Sequence, residues 1–250
     1  MPIAWVTGAT GFWGRNVTLS LLRLGWQVVA LSRSEPADLM AWATSRNQSC
    51  RWVAFDLNAP DWGALAALDT PQALFHCAVA WDTAIAPLLQ PNVVTPIQLI
   101  ETTLTRMQPT GYGRVGVFLG QNGRLGLPGL GHFSATQAAL WTWAEAKSRD
   151  LLAHKSLTAA TTSTITNLIP SSTLQHPTLN GSTLLPGFSL SLVFPPRAPS
   201  ELQAQLAARL PKPPRMKPPP NADRLVRGVL QGKRRVGRRP WLAALATLTW

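Results

Sequence analysis

Residues Thr7–Gly14 read TGATGFWG. The apolar run Ile3 to Val6 precedes them, and Asn16 to Leu24 follows with helical spacing that puts Val17, Leu21 and Leu24 on one face. A strand, a glycine-rich loop and a helix in immediate succession form the opening of a dinucleotide-binding unit. Gly8 allows the tight turn, Gly11 lets backbone approach a pyrophosphate, and Gly14 lets helix pack on strand. The helix N-terminus adds unpaired amides and a partial positive charge. Thr7, Gly8, Thr10, Gly11, Phe12, Trp13 and Gly14 are therefore the first candidate cofactor-binding residues.

Outward from this stretch, further segments fall in a consistent order. Gln27 to Arg33 (QVVALSR) reads as a second strand, Trp52 to Leu57 (WVAFDL) as a third, and Leu74 to Ala80 (LFHCAVA) as a fourth. Asn92 lies in PNVVTPIQLIETTL, which reads as a helix, and Gly113 to Gly123 reads as a fifth strand with its loop. Together these segments resemble the short-chain dehydrogenase/reductase family over residues 2 to 173. The resemblance implies an α/β fold, a doubly wound parallel sheet of Rossmann type in a single domain. It also implies adenine contacts from Asp56 and Leu57, and a cofactor wall at Cys77 and Ala78, where His76, Cys77, Ala78 and Val79 replace the family's Asn-Asn-Ala-Gly. Thr164 to Thr173 (TITNLIPSST) is assigned as the sixth strand and its turn in preference to Leu184 to Phe188, leaving Gln175 to Arg197 as a substrate-side insertion. That insertion carries few charges, so an apolar small molecule is the expected ligand.

The end of the second strand decides between cofactors. An acid there binds the ribose 2′-hydroxyl of NAD, but this chain has Ser32 and Arg33, with no acid before Glu35. A guanidinium suits a 2′-phosphate. NADP(H) is the expected cofactor, with Arg33 as clamp and Ser32 as helper.

The family's chemistry uses a Tyr acid-base group, a Lys four residues later that favours its phenolate, and a Ser thirteen residues before it. A phenol of pKa about 10 needs such a cation to work near neutrality. Aligned on Phe133 to Leu140 (FSATQAAL), these positions hold Phe133, Gln137 and Gly120. The chain's single Tyr, Tyr112, is followed four residues later by Gly116, so no other register restores the set. Of the family's catalytic residues only Asn92 persists, in a place where it would hold a water or a backbone kink. Gln121 can donate a hydrogen bond to a carbonyl and is the other catalytic candidate. His132 neighbours Phe133, but a helix step turns consecutive side chains apart. No His or Cys spacing suggests a metal.

Charge is concentrated at one end. Residues 205–250 hold eleven Lys or Arg against Asp223 alone, which accounts for ten of the twelve net positive charges. Nine of the 22 prolines lie between Pro195 and Pro220. These shifts divide the chain into a domain over 1–200, a Pro-rich connection over 201–220, and a basic C-terminal extension over 221–250. Asn221 can cap a helix with Leu225, Val226, Val229 and Leu230 on one side, ended by Gly232. The apolar run Trp241 to Trp250 is too short to span a bilayer and can pack on the core, on a second copy in a homo-oligomer, or on an anionic membrane surface. Nucleic acid is disfavoured, because aromatics are not interleaved with the basic run. Two cysteines without a framework suit the cytoplasm.

Three functions are consistent with these residues. The first is a non-catalytic or sensing NADP(H)-binding protein of oxidoreductase ancestry. The second is a reductase or isomerase of an apolar intermediate with another proton source. The third is a protein that docks on membranes or assemblies through its basic end.

Overall fold

The computed structural model describes residues 1–124, 126, 129–165, 188–194, 222–232 and 235–237. Strand β1 (Ile3–Thr7) leads through the glycine loop into α1 (Phe12–Arg23), and β2 (Gln27–Ser32) lies beside β1 in parallel register, with Trp5 opposite Val29. Helix α2 (Ala37–Thr44) crosses to β3 (Cys50–Ala54), and the short α3 (Trp62–Ala66) leads to β4 (Ala73–His76). Helix α4 (Ala86–Leu89) continues through a π-turn at Gln90–Val94 into α5 (Thr95–Met107). Pro91 and Pro96 each lack an amide donor, and the helix widens between them. Then come β5 (Gly113–Phe118), the long α6 (Gly131–Ile165), β6 (Phe188–Phe194), α7 (Ala222–Leu230) and β7 (Arg235–Gly237).

The seven strands form one parallel sheet in the order β3-β2-β1-β4-β5-β6-β7. The direction of winding reverses between β1 and β4, which opens a crevice at their carboxyl ends. One face of the sheet packs Trp5, Leu74, Val115 and Val117 against Leu99, Ile100 and Leu104 of α5 and Leu140 and Ala144 of α6. On the other face, Val6, Phe75 and Phe118 meet Val17 and Leu21 of α1 and Leu225, Val226 and Val229 of α7.

Several expected boundaries shift. The third strand ends at Ala54 rather than Leu57: the Phe55 amide still donates to Ser32 O, but Asp56 then accepts the Asn58 amide and turns the chain. The sixth strand is Phe188–Phe194, whereas Thr164 and Ile165 belong to α6 and residues 166–173 lie outside the described residues. FSLSLVF alternates in period two and pairs with β5, Val115 opposite Leu190, so Phe188–Phe194 within the expected insertion is sheet.

The larger correction concerns the basic end. Within the stretch read as a separate extension, Ala222–Leu230 and Arg235–Gly237 supply a helix and a strand to the domain itself. Leu225, Val226 and Val229 are fully buried, and Val236 pairs with Val193. Asp223 accepts a hydrogen bond from Ser20 of α1, Arg114 of β5 donates to Leu230 O at 3.2 Å, and Gly232, at φ +72°, ends α7 with its amide on Val229 O. Composition marked these residues as different because they are basic, but Arg224 and Arg227 lie on the exposed side while the apolar positions face inward. The connection at 201–220 and the apolar run at 241–250 lie outside the described residues.

Candidate functional site

A cleft of about 320 Å³ lies at the carboxyl ends of the central strands. Thr7, Gly8, Thr10, Gly11, Phe12 and Trp13 line it from the glycine loop, Ser32 and Arg33 from the end of β2, Asp56 and Leu57 from the turn after β3, and Cys77, Ala78 and Val79 from the segment after β4. Gly14 is not a lining residue. A Cβ there would stand 2.1 Å from Gly8 O, so Gly14 holds α1 tight against the loop. Gly8 has φ +66°, and a Cβ on it would meet Ala78 Cα at 2.7 Å. Both glycines are consumed by the protein's own packing.

Gly11 differs from them. A Cβ there would meet only Gly8 O, at 3.2 Å. Gly11 is also the N-cap of α1 and brings no capping side chain; the first intrahelical bond runs from the Arg15 amide to Gly11 O, and the first turn contains no acid. The amides ahead of Arg15 have no intrahelical acceptor. An open, uncapped helix N-terminus beside a position without a Cβ fits a diphosphate. Among the described residues lining the cleft Arg33 is the only cation; Arg15, in the first turn of α1, is not a lining residue and is paired with Asp38. The Ser32 hydroxyl donates to Ser34 O at 2.8 Å and shapes the turn that carries Arg33. These residues fit a phosphorylated dinucleotide. Arg33 would meet the extra phosphate and Asp56 would lie on the adenine side, while Val79, 44% exposed, also lines the cleft.

The wall at β4 is fixed by Thr7. Its Oγ1 accepts from the amides of Cys77 (3.1 Å) and Ala78 (3.2 Å), so its own proton goes to His76 Nδ1, 2.9 Å away. His76 is thereby held neutral with its proton on Nε2, and burial lowers its pKa to about 4. Burial also pushes the Cys77 thiol well above its ordinary value. His76 is a packing residue tied to strand register, Thr7 opposite His76.

At the three positions where the family resemblance calls for Ser, Tyr and Lys, Gln137 engages the Gly120 backbone and Phe133 engages Trp81. Gln137, buried, accepts the Gly120 amide on Oε1 at 2.9 Å. Phe133, 4% exposed, lies face to face with Trp81, ring centroids 3.7 Å apart and planes 12° from parallel. Asn92, 1% exposed, grips both polar groups of Ala80: its Oδ1 accepts the Ala80 amide at 2.7 Å and its Nδ2 donates to Ala80 O at 2.9 Å. The same Nδ2 donates to Thr136 Oγ1 at 3.3 Å, and Thr136 donates to Phe133 O. Asn92 thus ties the segment after β4 to α6, a backbone-holding role. His132 donates from Nδ1 to Thr83 O at 2.7 Å and faces the same segment. Gln121 opens a 3-10 turn at Gln121–Gly123; its side chain lies outside the described residues.

Sequence reasoning missed Trp81. The only available signal was an aromatic immediately after the fourth-strand segment, and its partner lies on a helix far along the chain. Among the described residues no group of His, Cys, Asp and Glu could hold a metal ion, and no helix is long and apolar enough to cross a membrane.

The strand order and the crevice at the switch point define a Rossmann-type α/β fold. Residues 4–111 match the family model described as the NAD dependent epimerase/dehydratase family. Among solved structures the chain is similar to a 3-oxoacyl (acyl-carrier-protein) reductase from Agrobacterium tumefaciens with NADP bound, at 19% identity and TM-score 0.55, over 60% of this chain and 64% of that one. It is similar to an actinorhodin polyketide ketoreductase with NADPH at 14% identity and TM-score 0.61, over 83% and 75%. A serine dehydrogenase complexed with NADP+ matches at 18% identity and TM-score 0.52, over 60% and 66%. At these identities the likeness establishes the fold, and the match to the first reductase covers less than two thirds of its length. No curated protein matches the chain.

Proposed function

We propose that this protein binds NADP(H) in the cleft at Gly11 and Arg33 and does not carry out tyrosine-dependent carbonyl reduction, serving as a sensing or otherwise non-catalytic member of an oxidoreductase fold. The observation that carries this reading is the Trp81–Phe133 stack. It places an indole on the ring that stands where a proton-donating phenol would have to face a substrate oxygen. Gln137 carries no cation at the position four residues on, and its Oε1 accepts the Gly120 amide. NADP(H) is preferred to NAD(H) because β2 ends in Ser32 with Arg33 next and no acid, although the matching family model is described as NAD dependent. The test is a pair of measurements: NADPH raises the melting temperature in a concentration-dependent way, and a broad panel of aldehydes and ketones produces no NADPH oxidation above the protein-free rate. Turnover on any member would overturn the non-catalytic part, and absence of nucleotide stabilisation would overturn the binding part.

A further inference from the structure

Helices α2, α1 and α7 cover one face of the sheet, with their apolar sides on the layer that holds Val6, Phe75 and Phe118. Their outer sides, with the turn after α2, carry Arg15, Arg23, Arg46, Arg224 and Arg227, all exposed, against Asp38 and Asp223. Asp38 is paired with Arg15, and the half-buried Asp223 is bonded to Ser20. Residues 16–34 and 39–55, which supply most of α1 and α2, contain no acid. Arg23 and Arg46 converge on the half-buried Trp42, their guanidinium carbons 5.7 Å and 4.4 Å from its ring centre. Neither is in an ion pair among the described residues. An indole face fixes a guanidinium in place without neutralising it. Two like charges are thereby held near each other, a repulsion that bound anions relieve. The opposite layer differs: Lys147 is paired with Glu101, and Arg149 with Glu145.

We infer that the outer face of α2, α1 and α7 is a docking surface for an anionic lipid bilayer. Its width argues against a single small anion: packed helices lie about 8–10 Å apart, so cations spread over three of them span roughly 20 Å. A leaflet rich in anionic headgroups presents charge over such a width. A half-buried indole beside arginines suits the same boundary between water and acyl chains. Single-stranded nucleic acid needs open aromatic faces on which bases stack, whereas Trp42 carries Arg46 over its ring. Docked in this way, the sheet lies along the membrane and the cleft at the carboxyl ends of the strands opens sideways. Arg23 and Arg46 are remote in sequence from the basic C-terminal stretch, so this surface operates with residues 238–250 removed.

The experiment is cosedimentation of the full chain with vesicles of phosphatidylcholine alone or with about 30% phosphatidylserine. The parent is expected to partition onto the anionic vesicles only, and to leave them at about 1 M salt. Arg23→Gln with Arg46→Gln should weaken partitioning by about tenfold or more, while Arg23→Lys with Arg46→Lys, which keeps both charges, should stay within about twofold of the parent. Lys147→Gln with Arg149→Gln, on the opposite layer, should also stay within about twofold, because its charges lie beyond the screening length from the docked face. Removal of 238–250 should leave the response to the Arg23 and Arg46 changes intact. Melting temperatures are recorded for every variant, and if the double glutamine variant is unfolded, Arg46→Gln alone should weaken partitioning by about threefold or more. The inference is overturned by a parent that does not partition, by equal losses from the two layers, or by unchanged partitioning in the glutamine variants. Binding of a polyuridine oligonucleotide at protein concentrations where anionic vesicles bind none would overturn it in favour of nucleic acid.

Discussion

Gln137 Oε1 lies 2.9 Å from the Gly120 amide, joining the two positions that would carry a lysine and a serine in a working dehydrogenase of this fold. A glutamine can accept a backbone hydrogen bond and a lysine cannot. The exchange of Lys for Gln therefore does more than delete a charge; it gives the loop after β5 a fixed partner.

This relationship sets the outcome of an attempted restoration. Gln137→Lys leaves the Gly120 amide without its acceptor and puts an ammonium in a buried place, and is expected to cost about 1–3 kcal/mol, measured by urea denaturation. The double variant Phe133→Tyr with Gln137→Lys is expected to show no NADPH-dependent carbonyl reduction while Trp81 is present. Appearance of activity in that variant would mean that Trp81 leaves the site freely.

The three loop glycines should separate by assay. Gly14→Ala and Gly8→Ala collide with backbone at 2.1 Å and 2.7 Å, and both are expected to fail to fold or to melt far below the parent. Gly11→Ala meets only Gly8 O at 3.2 Å and should melt within a few degrees of the parent while losing NADPH-induced stabilisation. Retained stabilisation in Gly11→Ala would remove the diphosphate from that position.

Arg33 should govern the choice of nucleotide. Arg33→Ala is expected to weaken NADPH binding by about ten- to a hundredfold, the range for a lost hydrogen bond to a charged group, and to leave NADH unchanged. Calorimetric titration with both nucleotides decides it; an equal effect on the two would place Arg33 away from the 2′-phosphate.

His76 predicts how stability responds to acid. Its pKa is about 4 in the folded protein against an ordinary 6.5, so between these values the unfolded chain binds more protons than the folded one. Stability is therefore full above pH 6.5, falls as the pH drops through the window, and levels off below about 4, a total of roughly 3 kcal/mol. In His76→Gln the loss between pH 7 and pH 4.5 should be shallower, by denaturant titration at each pH. An identical slope would assign the acid sensitivity to other groups.

The parts of this molecule that a reader could take from the sequence are those in which neighbours along the chain determine the geometry. β1, the glycine loop and α1 are contiguous, so periodicity and spacing suffice. The third strand was displaced because FDL continues an apolar pattern after pairing has stopped at Ala54, and the decisive event is the turn in which Asp56 accepts the Asn58 amide. The Trp81–Phe133 stack and the Gln137–Gly120 bond had no local signature, since each depends on where α6 lies against the ends of β4 and β5. The apolar positions of α7 were legible as a stripe, but what they cover is decided by residues on α1 and β5.

Helix α7 also gives the test of any docking role its proper form. Removing residues 221–250 would uncover Val17, Leu21 and Phe118 and is expected to yield insoluble protein; Leu225→Ala alone should cost about 2–5 kcal/mol by urea denaturation. Removing 238–250 leaves α7 and β7 in place, and is the variant in which vesicle sedimentation reports on the basic end rather than on unfolding.

The Ser20–Asp223 bond spans 203 positions. During synthesis, α1 emerges early and can settle on β1, but one side of its apolar face waits for α7 through nearly the whole translation of the chain. Closure of that layer is consequently a late event with a large loop to gather, so folding should be slow for a protein of this size. In the interval the ribosome-bound chain displays Val6, Phe75 and Phe118 incompletely covered, a surface on which chaperone engagement would concentrate.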